Sequence, residues 1–179
     1  MTGKMIIKKG DATNPTKLYD NEISIIPHVC NNKNRWGAGF VLALNKKWPI
    51  VEEKYREIFE QADLESLTKE KFEESILGEY QIVFVEKRMY VLNMIAQDGT
   101  GREGEKEVPI RYYSLAKCMN DFVTKNKHLC GSSPLVFHCP MFGAGLAGGD
   151  FEFVKELMRE CWLENSCDVV IYEFVPRIS

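Results

Sequence analysis

The chain contains no apolar stretch approaching the roughly 20 residues needed to cross a bilayer, so a membrane-spanning helix is not expected. It lacks a Gly-Lys-Ser/Thr triplet, which removes the phosphate-binding P-loop. Six cysteines (Cys30, Cys118, Cys130, Cys139, Cys161 and Cys167) form no Cys-x-x-Cys pair and no zinc-like spacing with the three histidines. Neither a metal nor a cofactor is expected on that pattern. Long basic runs are missing as well, and the formal net charge is −3. That balance argues against general nucleic-acid binding and against a membrane-surface partner. Internal repeats, low-complexity tracts and linkers are not found. The apolar part of the N-terminus is too short for a signal peptide. Cys30, Cys139 and Cys161 sit inside apolar runs, where a reduced, buried thiol is the ordinary reading, so a cytoplasmic location is expected.

What the chain does contain is 179 residues, 45% of them hydrophobic and 27% charged, enough for one α/β domain over 1–179 with its own core. A monomer is expected. Two glycine-rich stretches stand out, at 28–40 (His-Val-Cys-Asn-Asn-Lys-Asn-Arg-Trp-Gly-Ala-Gly-Phe) and at 140–151 (Pro-Met-Phe-Gly-Ala-Gly-Leu-Ala-Gly-Gly-Asp-Phe). Each follows an apolar run that reads as a buried strand and precedes a segment that reads as a helix. Glycine at such a turn permits positive φ and a close approach of ligand to backbone. The helix behind it supplies unpaired N–H groups and the positive end of its dipole. Two such turns in one small domain predict a pocket for a phosphate or diphosphate.

The remaining pattern predicts strands at 5–8, 23–30, 135–139 and 168–175, and a hairpin from 81–86 and 89–95. Helices are expected over 39–47, from Pro49 to about 59, over 110–123 and over 151–163. In the 110–123 helix, Tyr112, Leu115, Met119 and Phe122 make the better core face, with Ile110, Tyr113, Lys117 and Asn120 on another side. Residues 61–74 read as a solvated excursion, and 97–105 as a polar glycine-rich loop. Strands alternating with helices predict a sheet covered on both faces.

Several residues allow two readings. Asp11, in Gly10-Asp11-Ala12-Thr13, reads as an Asx turn or helix cap, or as an acceptor for an exocyclic amine such as that of adenine. His28 shares a face with Ile26 and Cys30 and reads as a core histidine or as a ligand-binding one at a strand's carboxyl end. Asn31 and Asn32 are candidates to donate to sugar hydroxyls or phosphate oxygens, or to hold left-handed turns. Gly37, Ala38, Gly39 and Phe40 are expected on one phosphate, and Gly143, Ala144, Gly145 and Leu146 on the other, with Phe142 at the rim. Asp150 reads as an N-cap or a catalytic carboxylate. Phe174 reads as core packing or as a ring stacked on a purine. Gly143, Gly145 and Gly148 spell Gly-x-Gly-x-x-Gly, but too late in the chain for the dinucleotide fingerprint.

On these residues the chain resembles the macro domain family, in particular the branch that processes ADP-ribose 1″-phosphate. Gly10-Asp11-Ala12-Thr13 is similar to that family's Gly-Asp-Ile-Thr element. His28-Val29-Cys30-Asn31 with Trp36-Gly37-Ala38-Gly39 is similar to its first ligand loop, and 140–150 to its second. The resemblance runs from 5 to 175. It implies a three-layer α/β/α fold with a central mixed sheet and ADP-ribose or ADP-ribose 1″-phosphate as partner. It further implies Asp11 on the adenine amine with the Ala12 amide nearby, the glycine loops on the diphosphate, and Asn31 with His28 near the distal ribose. His28, where other branches have asparagine, is similar to the phosphatase-like members. Where another branch uses a lysine and an aspartate to remove ADP-ribose from proteins, this chain has Gln97 and Ala147.

The expected activity is therefore a phosphatase that converts ADP-ribose 1″-phosphate to ADP-ribose and phosphate. His28, titrating near neutrality, would activate water or protonate the leaving oxygen. Backbone N–H groups from Gly143 to Leu146 would stabilise the phosphoryl charge, with Asn31 and Asp150 as further catalytic candidates. The alternatives are an ADP-ribose-binding module without chemistry and a hydrolase removing ADP-ribose from a macromolecule.

Overall fold

In the computed structural model, residues 1–62, 65–101 and 108–174 are described. Six strands form one sheet: β1 (Met5–Lys9), β2 (Ile23–Asn31), β3 (Tyr80–Glu86), β4 (Met89–Gln97), β5 (Leu135–Pro140) and β6 (Asp168–Glu173). Their order is β1-β6-β5-β2-β4-β3. The β3–β4 hairpin is antiparallel and every other pairing is parallel, so the sheet is mixed as expected.

Side-chain alternation along the strands assigns the layers. Ile25, Leu92, Met94, Phe137, Val169 and Ile171 face helices α4 (Tyr112–Lys125) and α5 (Phe151–Cys161). Ile26, Val91, Val136 and Val170 face the other way, toward α1 (Phe40–Lys47), α2 (Ile50–Glu60) and the loop ahead of β2. The short α3 (Lys69–Ser75) joins α2 over Cys30 and Ile95. Three layers, α/β/α, result. Behind β5 the rings of Phe137 and Trp162 stack 3.8 Å apart, and the Trp162 indole donates to Met119 O at 3.2 Å. A ring pair of this kind adds about 0.5–1.5 kcal/mol beyond its burial. All six cysteines are free thiols and five of them are buried. Among the described residues no helix is long and apolar enough to cross a membrane.

Three expectations shift. Helix α4 starts at Tyr112, because Ile110 leaves the helical path to bridge Gln97 at the end of β4, with its N–H on Ala147 O. Ile110 is buried there, so it joins the core instead of the polar helix side. The 61–74 excursion is not wholly solvated, since Glu73 is buried and receives Lys33 at 2.5 Å. The last strand ends at Glu173, leaving Phe174 71% exposed, so it is not core packing. Within these segments, positions 63–64, 102–105 and 175 lie outside the described residues.

Candidate functional site

Strands β2 and β5 are neighbours whose following segments leave toward opposite faces, α1 on one and α5 on the other. A crevice at the carboxyl ends is the expected consequence of that reversal. The ladder between them covers only Ile23–Ile25 against Leu135–Phe137, well short of Asn31. At those carboxyl ends lies a cavity of about 760 Å³, lined by both glycine loops.

The first loop enters α1 through Gly39, at φ 73° and ψ −144°, a conformation reserved for glycine. No side chain caps α1 and its first turn carries no acid. Gly37, Ala38, Gly39, Phe40 and Val41 all line the cavity, so the helix N-terminus faces it. The second loop closes on itself, with Gly149 N–H on Gly143 O at 2.8 Å. A Cβ at Gly149 would stand 2.3 Å from that oxygen, so glycine is required for the closure. Leu146 reaches across to the first loop, its Cδ1 3.6 Å from where a Gly39 Cβ would be.

The lining changes character along the sheet edge. Beside β2 and β4 stand Asn31, Asn34, Arg35, Arg56, Gln97 and Thr100; on the β5 side stand Phe40, Met141, Phe142 and Leu146. Among the described residues the lining includes two arginines and no aspartate or glutamate. An elongated anion, with charge toward the β2–β4 end, suits such a surface.

His28 lines the cavity but is 2% exposed. Asn93 donates its amide to Gln81 Oε1 at 3.0 Å, which turns Asn93 Oδ1 toward the imidazole, 2.5 Å from His28 Nε2. Nε2 therefore carries the ring proton and donates it. Trp36 and Phe40 approach the imidazole edge-on, with centroids 5.6 and 6.2 Å away. Burial pushes its pKa down to about 4, although the bond to Asn93 acts the other way. The expectation of a histidine titrating near neutrality is corrected: His28 is neutral there because water cannot solvate its charged form.

Asn31 organises the first loop. Its Oδ1 accepts from Lys33 N (2.9 Å) and Arg35 N (3.1 Å), and its Nδ2 donates to Arg35 O at 2.6 Å. Tyr55 Oη lies 2.9 Å from the same Oδ1. Asn32, 1% exposed, donates to Glu73 O and accepts from Gly99 N, tying the loop to α3 and β4. The left-handed turn falls on Asn34 (φ 54°), not on either of these asparagines.

The structure brings His28, Asn31, Gly37, Ala38, Gly39, Phe40, Phe142, Gly143, Gly145 and Leu146 around one cavity. Phe142, expected at the rim, is buried and meets Trp162 edge-on at 6.2 Å, because the loop turns only after it. Ala144 is outside the lining. So are Asp11 and Ala12. Asp11 Oδ1 accepts from Thr13 N and Thr13 Oγ1, both at 2.8 Å, which is the Asx turn, and Ala12 is 2% exposed. Phe174 stands exposed beyond β6, also outside the lining.

Asp150 is the α5 N-cap, its Oδ1 accepting from Glu152 N at 2.9 Å, and it does not line the cavity. The catalytic reading of Asp150 is replaced by the cap. Asp150→Ala should cost about 1 kcal/mol of stability and leave ligand affinity unchanged. Thermal unfolding and titration check this; lost turnover at unchanged stability would restore the catalytic reading.

Arg35, Arg56 and Trp36 are among the lining residues that were not sequence candidates. Arg35 lies inside the first loop, where an arginine just ahead of a glycine turn was itself a signal for an anion. Arg56 lies on α2 and pairs with Glu52 four residues back, so in sequence it reads as a solvent-facing helix pair. Trp36 packs 5.1 Å from Tyr55, and its Nε1 is, among the described residues, the one buried side-chain nitrogen or oxygen without a hydrogen-bond partner. An acceptor brought by a ligand would relieve that cost, about 1–3 kcal/mol for a buried unpaired group.

No family model matches the chain, and no curated protein matches it. Solved structures do. A protein of unknown function from Bacteroides thetaiotaomicron is 33% identical over 97% of this chain and 99% of its own, with a TM-score of 0.78. A macrodomain protein from Streptomyces coelicolor is 29% identical over 95% of this chain and 99% of its own, with a TM-score of 0.72. DarTG of Thermosipho africanus, solved in complex with ADP-ribose, shares the fold at 15% identity (TM-score 0.60), matching 99% of this chain and 44% of its own.

Proposed function

We propose that this chain is a macro domain that binds ADP-ribose across its two glycine loops and hydrolyses the phosphomonoester of ADP-ribose 1″-phosphate. The observation that carries the proposal is the cavity itself: two glycine turns and a bare helix N-terminus at its middle and, among the described lining residues, two arginines and no acid at its β2–β4 end. The diphosphate would lie between the loops, taking N–H groups of Gly37 to Phe40 on one side and of Gly143 to Leu146 on the other. The distal ribose would then rest near His28, Asn31 and Gln97. Asp11 and Phe174, at the β1–β6 end of the same sheet edge, would meet the adenine.

In the reaction, water attacks phosphorus and the bond from phosphorus to the ribose oxygen breaks. One of the water's protons stays with inorganic phosphate, the other is released to solvent, and the ribose oxygen takes up a proton from solvent. Phosphoryl transfer through a loose transition state asks mainly for positioning and charge stabilisation, which backbone N–H groups and arginines supply. His28 would act as a neutral wall that shapes the ribose pocket. Gln97 and Ala147, both in the lining, stand where the resemblance would put the lysine and aspartate of the protein-directed hydrolases, so a lysine adduct is not part of this reading.

A second reading, a binding module without turnover, is favoured by the neutral His28 and the carboxylate-free lining among the described residues. Phosphorus NMR of ADP-ribose 1″-phosphate with the purified protein separates the two. Conversion of the monoester signal to inorganic phosphate is the expected result. Shifted diphosphate signals without conversion would establish the module. Unchanged spectra at high protein concentration would remove the ligand assignment.

A further inference from the structure

We infer that Arg56, together with Arg35, forms a subsite for the anionic group carried beyond the distal ribose, a phosphomonoester in the first instance; this rests on the ADP-ribose reading above. Two independent features place it there. The sheet order sets the Asp11 turn, after β1, and the Gln97 end of β4 on opposite sides of the β5–β2 crevice. A ligand with its base near Asp11 therefore carries its distal substituent toward β4, where Arg35 and Arg56 enter the lining. Among the described lining residues they are the two side chains with a formal charge, His28 being neutral.

The second feature is how Arg56 is held. Its Nε and one terminal nitrogen (Nη2) both reach Glu52 Oε1, at 2.9 and 2.6 Å. The other terminal nitrogen, Nη1, reaches Asn34 Oδ1 at 3.2 Å and Asn34 O at 3.3 Å. These contacts clamp the guanidinium between α2 and the left-handed tip of the first loop, one residue before Arg35. The guanidinium carries five N–H donors, one more than these contacts use. Arg35 Nη1 meets Thr100 Oγ1 at 3.1 Å, so the second arginine is steered toward the β4 end as well. A guanidinium fixed in this way needs little reordering to receive a phosphate, and its fork matches that group better than an ammonium does. Such a subsite would discriminate ADP-ribose with an anionic distal substituent from ADP-ribose itself.

Calorimetric titration of wild type, Arg56→Gln and Arg35→Gln with ADP-ribose and with ADP-ribose 1″-phosphate tests this. Initial heats at low temperature keep turnover out of the binding signal. Arg56→Gln should weaken the phosphorylated ligand about tenfold or more, the scale of a lost hydrogen bond to a charged group, while ADP-ribose changes by less than about threefold. Arg35→Gln should act in the same direction, and it keeps the test open if Arg56→Gln fails to fold. Raising the salt should narrow the wild-type preference, because partly exposed charges are screened. Equal losses for both ligands in both variants, or no loss, would overturn the subsite while leaving ADP-ribose binding intact. Wild-type protein that binds neither ligand would overturn the ligand reading and the subsite with it.

Discussion

Lowering the pH from 7 to about 4 should remove about 3 kcal/mol of folding stability through His28 alone. In the unfolded chain its imidazole takes up a proton around 6.5, whereas in the folded protein burial postpones that to about 4. Between those values the unfolded state binds the extra proton, so stability rises with pH across the window and is lost as pH falls through it. The span is about 2.5 pH units at about 1.4 kcal/mol per unit. Denaturant unfolding of wild type and His28→Gln at pH 7, 5.5 and 4 isolates the contribution. The wild type should lose about 3 kcal/mol more than the variant between the end points. Parallel curves would mean that the imidazole is solvated and titrates normally.

The same burial bears on catalysis. If turnover of ADP-ribose 1″-phosphate is observed, its pH profile should show no step near 6.5, since the ring is already neutral there. A bell with a limb at that pH would return His28 to the acid–base role that its position in sequence first suggested. The wild-type profile is decisive, because His28→Gln also changes packing against Trp36 and Phe40.

The gap between those two views of His28 marks how far the sequence reaches. Its place at the end of a strand beside a glycine turn is local information, and the structure agrees with it. Its protonation state depends on Asn93, 65 residues away, and on how Gln81 orients that amide. Neighbours of that kind leave no mark on the motif. The glycine loops were legible because backbone geometry is written into residue type; Gly39 and Gly149 occupy positions that a side chain would strain or block. The layers were legible because β5 and β6 are largely apolar and buried over four consecutive residues, as strands covered on both faces are, and because burial in α4 returns at helical spacing. Arg56 was not legible: its i,i+4 partner Glu52 is the signature of a solvated helix, and only the turn at Asn34 brings the guanidinium to the cavity. Ile110 misled for a related reason. Its apolar character suits a helix face, but the bridge to Gln97 claims it before α4 begins.

Glu22→Ala should be more damaging than any of these changes, costing about 3–5 kcal/mol, because several buried donors lose a charged acceptor and each unpaired group costs about 1–3 kcal/mol. Glu22 is 0% exposed and its carboxylate accepts from four donors. Ser24 Oγ and His138 Nε2 reach Oε1, each at 2.7 Å, and the Leu18 and Tyr19 amides reach Oε2 at 2.7 and 3.0 Å. The chain continues through His138 Nδ1 to Tyr172 Oη at 3.0 Å, and Tyr172 Oη accepts from Thr16 N at 3.0 Å. One direction of donation satisfies every member: Thr16 N–H to Tyr172, Tyr172 O–H to His138, His138 Nε2–H to Glu22. Removing the carboxylate leaves four buried or half-buried donors without an acceptor, and the loop between the Asp11 turn and β2 loses its anchor. Burial by itself would raise the Glu22 carboxyl, but the bonds from His138, Ser24 and Tyr19 outweigh it and hold the group below its ordinary range. That stabilisation is present above the unfolded carboxyl pKa and disappears as pH falls through the lower folded value. Thermal unfolding at pH 7 should show a drop on the order of 10 °C for Glu22→Ala, given about 2–4 °C per kcal/mol in a chain of this size. Glu22→Gln should approach the same loss, since its amide N–H₂ would face donors where an acceptor is needed. A Glu22→Gln protein melting within a degree or two of wild type would show that the network carries one oxygen's worth of bonding instead of a full carboxylate.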